Sequence, residues 1–145
     1  MAVDFQYEDN SEEVLREFET KLKAALEAIG LQAEGNAKIN VTQRVPRNSD
    51  SWYVPTGNLR NSITHTVVEN EDSVYIGTNN EYAAYNEFGT GVYADSGGRS
   101  TPWWYQDAQG NWHKTSGMKP IHFLRDAIQG HESEYESIAD QQMRG

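Results

Sequence analysis

The residues from Ser11 to about Asn40 constrain this chain more than any others. Val14, Phe18, Leu22, Ala25 and Ile29 recur at intervals of four, four, three and four, the spacing of one helix face. Leu15 and Leu26 widen that stripe, and Ala33, Ala37 and Val41 carry it onward. Ser11 stands where a capping residue belongs, with Glu12 and Glu13 behind it at the positive end of the helix dipole. Gly30 and Gly35 oppose the continuation. The pattern therefore predicts a core-facing helix over 11–40 with a kink or break near Gly30. A chain of 145 residues is about one domain's worth, enough for a single modest core, so this helix is a large share of it.

The rest of the chain reads as shorter pieces. Residues 42–58, "TQRVPRNSDSWYVPTGN", form a surface loop by their prolines and small polar residues, yet display Trp52 and Tyr53. Two β-branched runs, 63–68 and 73–78, flank a polar turn and predict an antiparallel hairpin over 63–78. A short helix over 81–88 stops at Gly89. Residues 90–117 open as a Gly- and Ser-rich flexible loop and hold a second hairpin, 103–106 and 112–115, with three of the four tryptophans. A helix over 120–140 starts near Pro120, shows an apolar face at Phe123, Leu124, Ala127 and Ile128, is interrupted at Gly130, and frays at its end. With 1–10 as an N-terminal tail, the whole of 1–145 reads as one α+β domain: two helices on a small antiparallel sheet, with a long hairpin-bearing insertion. Its expected core is Phe18, Leu22, Ile29, Ile63, Val67, Ile76, Phe123 and Ile128.

Most chemistry is argued against. Twenty-two acidic residues face twelve Lys and Arg, a net charge of −10, which opposes gripping a phosphate backbone. There is no cysteine, so neither disulfides nor thiolate chemistry are available. The four histidines stand nine or more residues apart, and His122 and His131, nine apart, do not share a helix face, so no metal site is expected. There is no nucleophile elbow, and the glycines of "GTGVYADSGG" lack a phosphate-binding lysine. Glu81 and Glu87 point to different sides of one short helix. No cofactor is expected. No stretch approaches the ~20 apolar residues of a membrane span, and no secretion signal opens the chain, which places its synthesis and expected residence in the cytoplasm.

The aromatics carry the stronger signal. Trp52, Tyr53, Tyr93, Trp103, Trp104, Tyr105 and Trp112 fall in loops or in the second hairpin, bordered by Gly, Ser, Asn and Asp. Tryptophans of a small domain often plug its core, but so many in such segments point to an interface. Stacking on nucleic-acid bases is opposed by the acidity.

Three pieces in series, "PTGNLRNSI" (55–63), "IGTNNEYAAYNEFGTG" (76–91) and "GMKPIHFLRDAI" (117–128), resemble the tail-completion, or head–tail joining, proteins of long-tailed bacteriophages, also labelled minor tail components. The residues that carry the likeness are Thr56, Gly57, Leu59, Arg60 and Ser62, then Tyr82, Ala83, Glu87, Phe88, Gly89 and Thr90, then Pro120, Phe123, Leu124 and Arg125. There are departures. The insertion between Thr90 and Pro120 is long, Ile121 and His122 separate Pro120 from Phe123, and Asp126 stands where a proline is common.

The resemblance implies a structural, non-enzymatic virion protein, assembled in the host cytoplasm and located at the neck. It implies a homo-oligomeric ring, hexameric when assembled, on the head-proximal end of the tail tube. Its partners would be the tail-tube protein and a head-completion or neck protein, and DNA would pass through an acidic lumen without specific binding. On that reading the insertion lies on the adjacent subunit with Trp103, Trp104 and Trp112 in pockets there. Tyr82, Tyr85 and Phe88 pack the foot of this arm, and Glu87 pairs with Arg60 or Arg125. The residues themselves leave two other readings open: an adaptor that grips one partner with its Trp-rich arm and forms no ring, and a small hydrolase with an aromatic cleft.

Overall fold

The computed structural model describes residues 8–44, 56–81, 83–106 and 110–144. Trp52, Tyr53, Tyr82 and the turn at 107–109 lie outside the described residues, as do the side chains of Thr56 and Gly57.

The long helix forms and does not break. Helix α1 spans Ser11–Arg44, 34 residues, or about 50 Å at the standard rise. At its start the Asp9 carboxylate accepts the Ser11 amide at 3.0 Å. Gly30 does not interrupt it, because Gly30 is buried where the first hairpin crosses. A Cβ there would stand 2.7 Å from both His65 Cδ2 and Val74 Cγ2. The helix gives up about 1 kcal/mol of propensity at this glycine and in return lets the hairpin seat closely.

After α1 come α2 (Thr56–Ser62), β1 (Thr64–Val68), β2 (Ser73–Gly77), α3 (Ala83–Phe88), β3 (Trp103–Gln106), β4 (Trp112–Thr115), α4 (Phe123–Gln129) and α5 (Glu132–Arg144). The fold is α+β. Strands β1 and β2 pair antiparallel with His65 opposite Ile76, and β3 and β4 with Trp104 opposite Lys114. Among the described residues these are two separate two-stranded sheets, the first hairpin against the helices and the second in the insertion. Helical residues occupy both ends of the expected 42–58 loop, through Arg44 and from Thr56. The expected C-terminal helix is two helices parted at Gly130, and the second stays helical to Arg144 instead of fraying.

α1 packs along α5, α4, α2 and the first hairpin. The core cluster is Ala37, Val41, Leu59, Ile63, Ala83, Phe123 and Ala127, with Ile76, Ile121 and Leu124 packed on it. Of the expected core residues, Ile63 and Phe123 are fully buried, and Leu22, Ile29, Val67 and Ile76 are half-buried. Phe18 and Ile128 are not core residues, at 50% and 51% exposed. The reason is positional. The first buried residue of α1 is Ala25, so the N-terminal portion of the helix carries its stripe past the core. On α4 the buried face is the Phe123 and Ala127 side, and Ile128 falls outside it. Polar ties close the bundle: Asn40 Nδ2 donates to the Phe123 carbonyl at 3.1 Å, Asn36 Nδ2 donates to the Tyr135 hydroxyl at 3.1 Å, and that hydroxyl donates to the Ala127 carbonyl.

His65 staples the first hairpin to α1 astride Gly30. Its Nε2 meets Glu27 at 3.0 Å and its Nδ1 meets Glu34 at 3.1 Å. The Glu27 hydrogen bond, joined by Glu34 against the opposing effect of burial, holds the His65 pKa above its ordinary value of 6.5. Because the folded value is raised, the contribution is fully present below about 6.5 and is lost as pH rises through the folded pKa. Burial alone would raise the Glu34 carboxyl, but hydrogen bonds from His65 and Lys38 outweigh it and bring it below 4.5. That second contribution is present above about 4.5 and is lost as pH falls through the depressed value. The staple is therefore strongest between those limits. His65→Gln is expected to cost about 1 kcal/mol at pH 6 and close to nothing at pH 9, measured by urea unfolding at both values. A cost independent of pH would refute the charged staple.

Candidate functional site

The most elaborated region is the joint where α3 ends, the insertion leaves and returns, and α4 begins. Glu87, on α3, is 5% exposed. Its carboxylate accepts the amide N–H of Leu124 at 2.8 Å and of Arg125 at 2.9 Å. The expected pairing with an Arg60 or Arg125 guanidinium is thus replaced by a bond to the backbone at the start of α4. The reason is that the first amides of a helix lack intrahelical partners and attract an anion. The Asn86 carbonyl accepts the Ile121 amide at 2.8 Å on the same side. Tyr85 and Phe88 are not buried in this foot, being 43% and 54% exposed; Ala83, Asn86 and Glu87 are the buried residues of α3.

Directly beyond, the two ends of the insertion are clasped. The Thr90 amide donates to the Met118 carbonyl at 2.9 Å, the Met118 amide to Thr90 Oγ1 at 2.9 Å, and the Val92 amide to the Ser116 carbonyl at 3.0 Å. The strands cross so closely that only glycine fits. A Cβ on Gly91 would stand 2.0 Å from the Ser116 carbonyl oxygen, and one on Gly117 would stand 2.1 Å from that of Thr90. Gly91 has φ 61 and Gly117 φ 129, both outside the ordinary range of side-chain-bearing residues. The Asp95 amide donates to the Phe88 carbonyl at 3.0 Å, and the Asp95 carboxylate lies 3.4 Å from His122 Nε2, so the first turn of the insertion is tied back to the joint.

From this stem the second hairpin presents two different faces. Trp103, Tyr105, His113 and Thr115 are half-buried on one. There Tyr105 stacks on His113 with centroids 5.3 Å apart, and the Arg99 guanidinium lies 5.5 Å over Trp103. Trp104, Gln106, Trp112 and Lys114 form the other, with Trp104 at 61% and Trp112 at 64% exposed. The three hairpin tryptophans are therefore not brought together: Trp104 and Trp112 share the outer face and Trp103 does not. Tyr93 stays near the stem with Lys119 Nζ 5.8 Å over its ring.

The three motif segments, distant in sequence, do converge. Leu59, Ala83 and Phe123, one from each, are buried in the same cluster, and Leu124 packs on it. Ser62 Oγ donates to the Leu59 carbonyl at 2.6 Å and meets Thr78 Oγ1 at 2.5 Å. Arg60 and Arg125 face solvent, and Pro120 follows the clasp at the return of the insertion. Asp126 holds Arg44 Nη1 at 2.6 Å, and this hydrogen bond keeps its carboxyl below the usual range. Arg44 also donates to the Ile121 carbonyl at 2.8 Å, tying the end of α1 to the start of α4. The clasp glycines were absent from the sequence-predicted site. Their signal was present as a glycine at each end of the insertion, but the crossing itself is a tertiary fact.

Among the described residues there is no cluster of His, Asp and Glu able to hold a metal ion, and no helix long and apolar enough to cross a membrane. No curated protein and no solved structure matches the chain. Residues 6–89, more than half of the chain, match the family described as "Bacteriophage HK97-gp10, putative tail-component". The match ends at Gly89, where α3 gives way to the insertion. The match takes in α1, α2, the first hairpin and α3, with the motif residues from Thr56 to Gly89, and the chain belongs to this HK97-gp10-like family of bacteriophage tail components.

Proposed function

We propose that this protein is a structural component of the phage neck. It caps the head-proximal end of the tail tube as a ring, a hexamer when assembled, and joins the tail to the head. Its partners are further copies of itself, the tail-tube protein and a head-completion protein. The observation that carries the reading is the outer face of the second hairpin. Trp104 and Trp112 stand exposed on an element that is clasped at its root and contributes nothing to the core cluster. Exposed, pre-positioned tryptophans are the usual anchors of protein interfaces. The net charge of −10 suits a ring through which DNA slides, since an acidic lumen repels phosphate. A role in assembly asks for no catalytic group, and Glu87 and Asp126 are engaged in joining elements of the fold.

The test is complementation of a phage lacking this chain. Such a lysate is expected to contain filled heads and separate tails. Adding the purified protein should restore joined particles, counted by electron microscopy and by plaques. Joined, infectious particles in the absence of the chain would sink the proposal.

A further inference from the structure

The N-terminal portion of α1 carries an apolar stripe that the core does not cover. Val14, Leu15 and Phe18 are each half or more exposed. The stripe runs on into a groove between α1 and the tip of the first hairpin, floored by Leu22, Leu26 and Val67. Glu19, Glu69 and Asp72 stand along its edge. The cations of this face, Arg16 and Lys23, are already paired, with Glu12 at 3.8 Å and Glu69 at 2.7 Å. Residues 8–20 hold six acids against the single Arg16. A partner for this surface must therefore be apolar at its centre and carry no negative charge at its rim.

The chain itself bears such a surface. On the outer face of the second hairpin, Trp104 lies opposite Lys114 and Gln106 opposite Trp112. The two indoles are diagonal neighbours on one side of the ladder, within reach of a single continuous patch. The four outward side chains are two tryptophans, a glutamine and a lysine, with no acid among them. Each indole brings roughly 150–250 Å² of contact area, a substantial part of the ~800 Å² that one side of an ordinary interface buries.

We infer that the exposed stripe of α1 is the receiving surface for the second hairpin of a neighbouring copy, with Trp104 and Trp112 lying over Val14, Phe18 and Leu22 and Lys114 meeting the acidic rim. The contact is heterologous: each copy gives its hairpin and offers its helix, so copies add head to tail and close where the rotation allows. This rests on the ring reading and names the surfaces that would build the ring.

The experiment uses the full chain, by light scattering in solution and by electron microscopy on isolated tail tubes. Two variants are compared with wild type: Trp104→Ser/Trp112→Ser, without the hairpin anchor, and Val14→Ser/Phe18→Ser, without the receiving stripe. All four positions are exposed, so both variants should melt like wild type. Each alone is expected to lose self-association by about 30-fold or more. Mixed in equal amounts, they should form a heterodimer and go no further, because one complementary pair of faces remains. Lys114→Glu keeps both tryptophans and is expected to weaken assembly, which keeps the test alive should the hairpin variant misfold. Assembly unchanged in both double variants would overturn the inference while leaving a ring built through other surfaces. Loss in the stripe variant alone would assign the stripe to pairing with itself or to the chain's own residues 1–7, and would equally overturn it. Wild type that forms no multimer in solution or on tubes would remove the ring reading as well.

Discussion

Glu87→Ala is expected to lower the unfolding free energy by about 4 kcal/mol and the melting temperature by roughly 10 °C. The carboxylate makes two charge-assisted bonds to the Leu124 and Arg125 amides at 2.8 and 2.9 Å, in a site that water hardly reaches. Each such bond is worth about 1.5–3 kcal/mol, and removing the acceptor leaves both donors without a partner. α4 has only 7 residues, too few to persist as a helix unaided, so its first turn depends on this outside anion. Glu87→Gln retains one carbonyl acceptor and should recover about half of the loss. Thermal melts of the three proteins at equal concentration provide the comparison. A decrease below about 3 °C for the alanine variant would mean that α4 is held by Phe123 and Ala127 packing alone.

The second large effect is local. In Gly117→Ala the new Cβ would stand 2.1 Å from the Thr90 carbonyl oxygen, at a φ of 129. The atom it meets is backbone, so no rotamer change relieves the clash, and the expected cost is about 3 kcal/mol. The crossing at Gly91 gives way first, since opening it releases the insertion and leaves the core cluster of α1, α2, α3 and α4 in place. Limited proteolysis between 92 and 116 should therefore accelerate by roughly 100-fold, while the global melting temperature falls by less than about 3 °C. Gly97→Ala is the control. Gly97 also has a positive φ of 80, but nothing lies within 4 Å of its added Cβ, so only a cost of about 1 kcal/mol is expected. Equal protease sensitivity in the two variants would show that backbone conformation matters and the close crossing does not.

Much of the fold was legible, and the particular residues explain where legibility stops. The hairpins could be read because alternation and turn chemistry are local: the strands of the second, Trp103–Gln106 and Trp112–Thr115, lie where the pattern puts them. The α1 stripe was equally plain, but periodicity tells which face is apolar and not which part of it another element covers. Phe18 and Ala25 share that face, and only Ala25 is buried. Gly30 misled for a related reason. Propensity marks a glycine in a helix as a weakness, whereas here it is the place where His65 and Val74 come close. Glu87 was noticed as a charge and Arg125 was among the partners that opposite charge suggested, but the bonds go to the Leu124 and Arg125 amides, 37 and 38 positions away, and side-chain charge does not specify a backbone group. The aromatic signal of the insertion pointed to a binding surface. The strand register then divides its tryptophans between two faces, a distinction that composition does not contain.

The clasp has a topological consequence. Thr90 and Met118 are bonded to each other, so the chain leaves the fold and re-enters it at a single point. The contour between them is therefore uncoupled from the spacing of α3 and α4. Doubling that contour would cost only about 0.6 kcal/mol of closure entropy, and shortening it to a tight turn would leave the glycine crossing where it is. The stretch between Asp95 and Ser116 is in this sense an exchangeable cassette on a fixed socket, and its outer surface can be rewritten without altering one residue of the core.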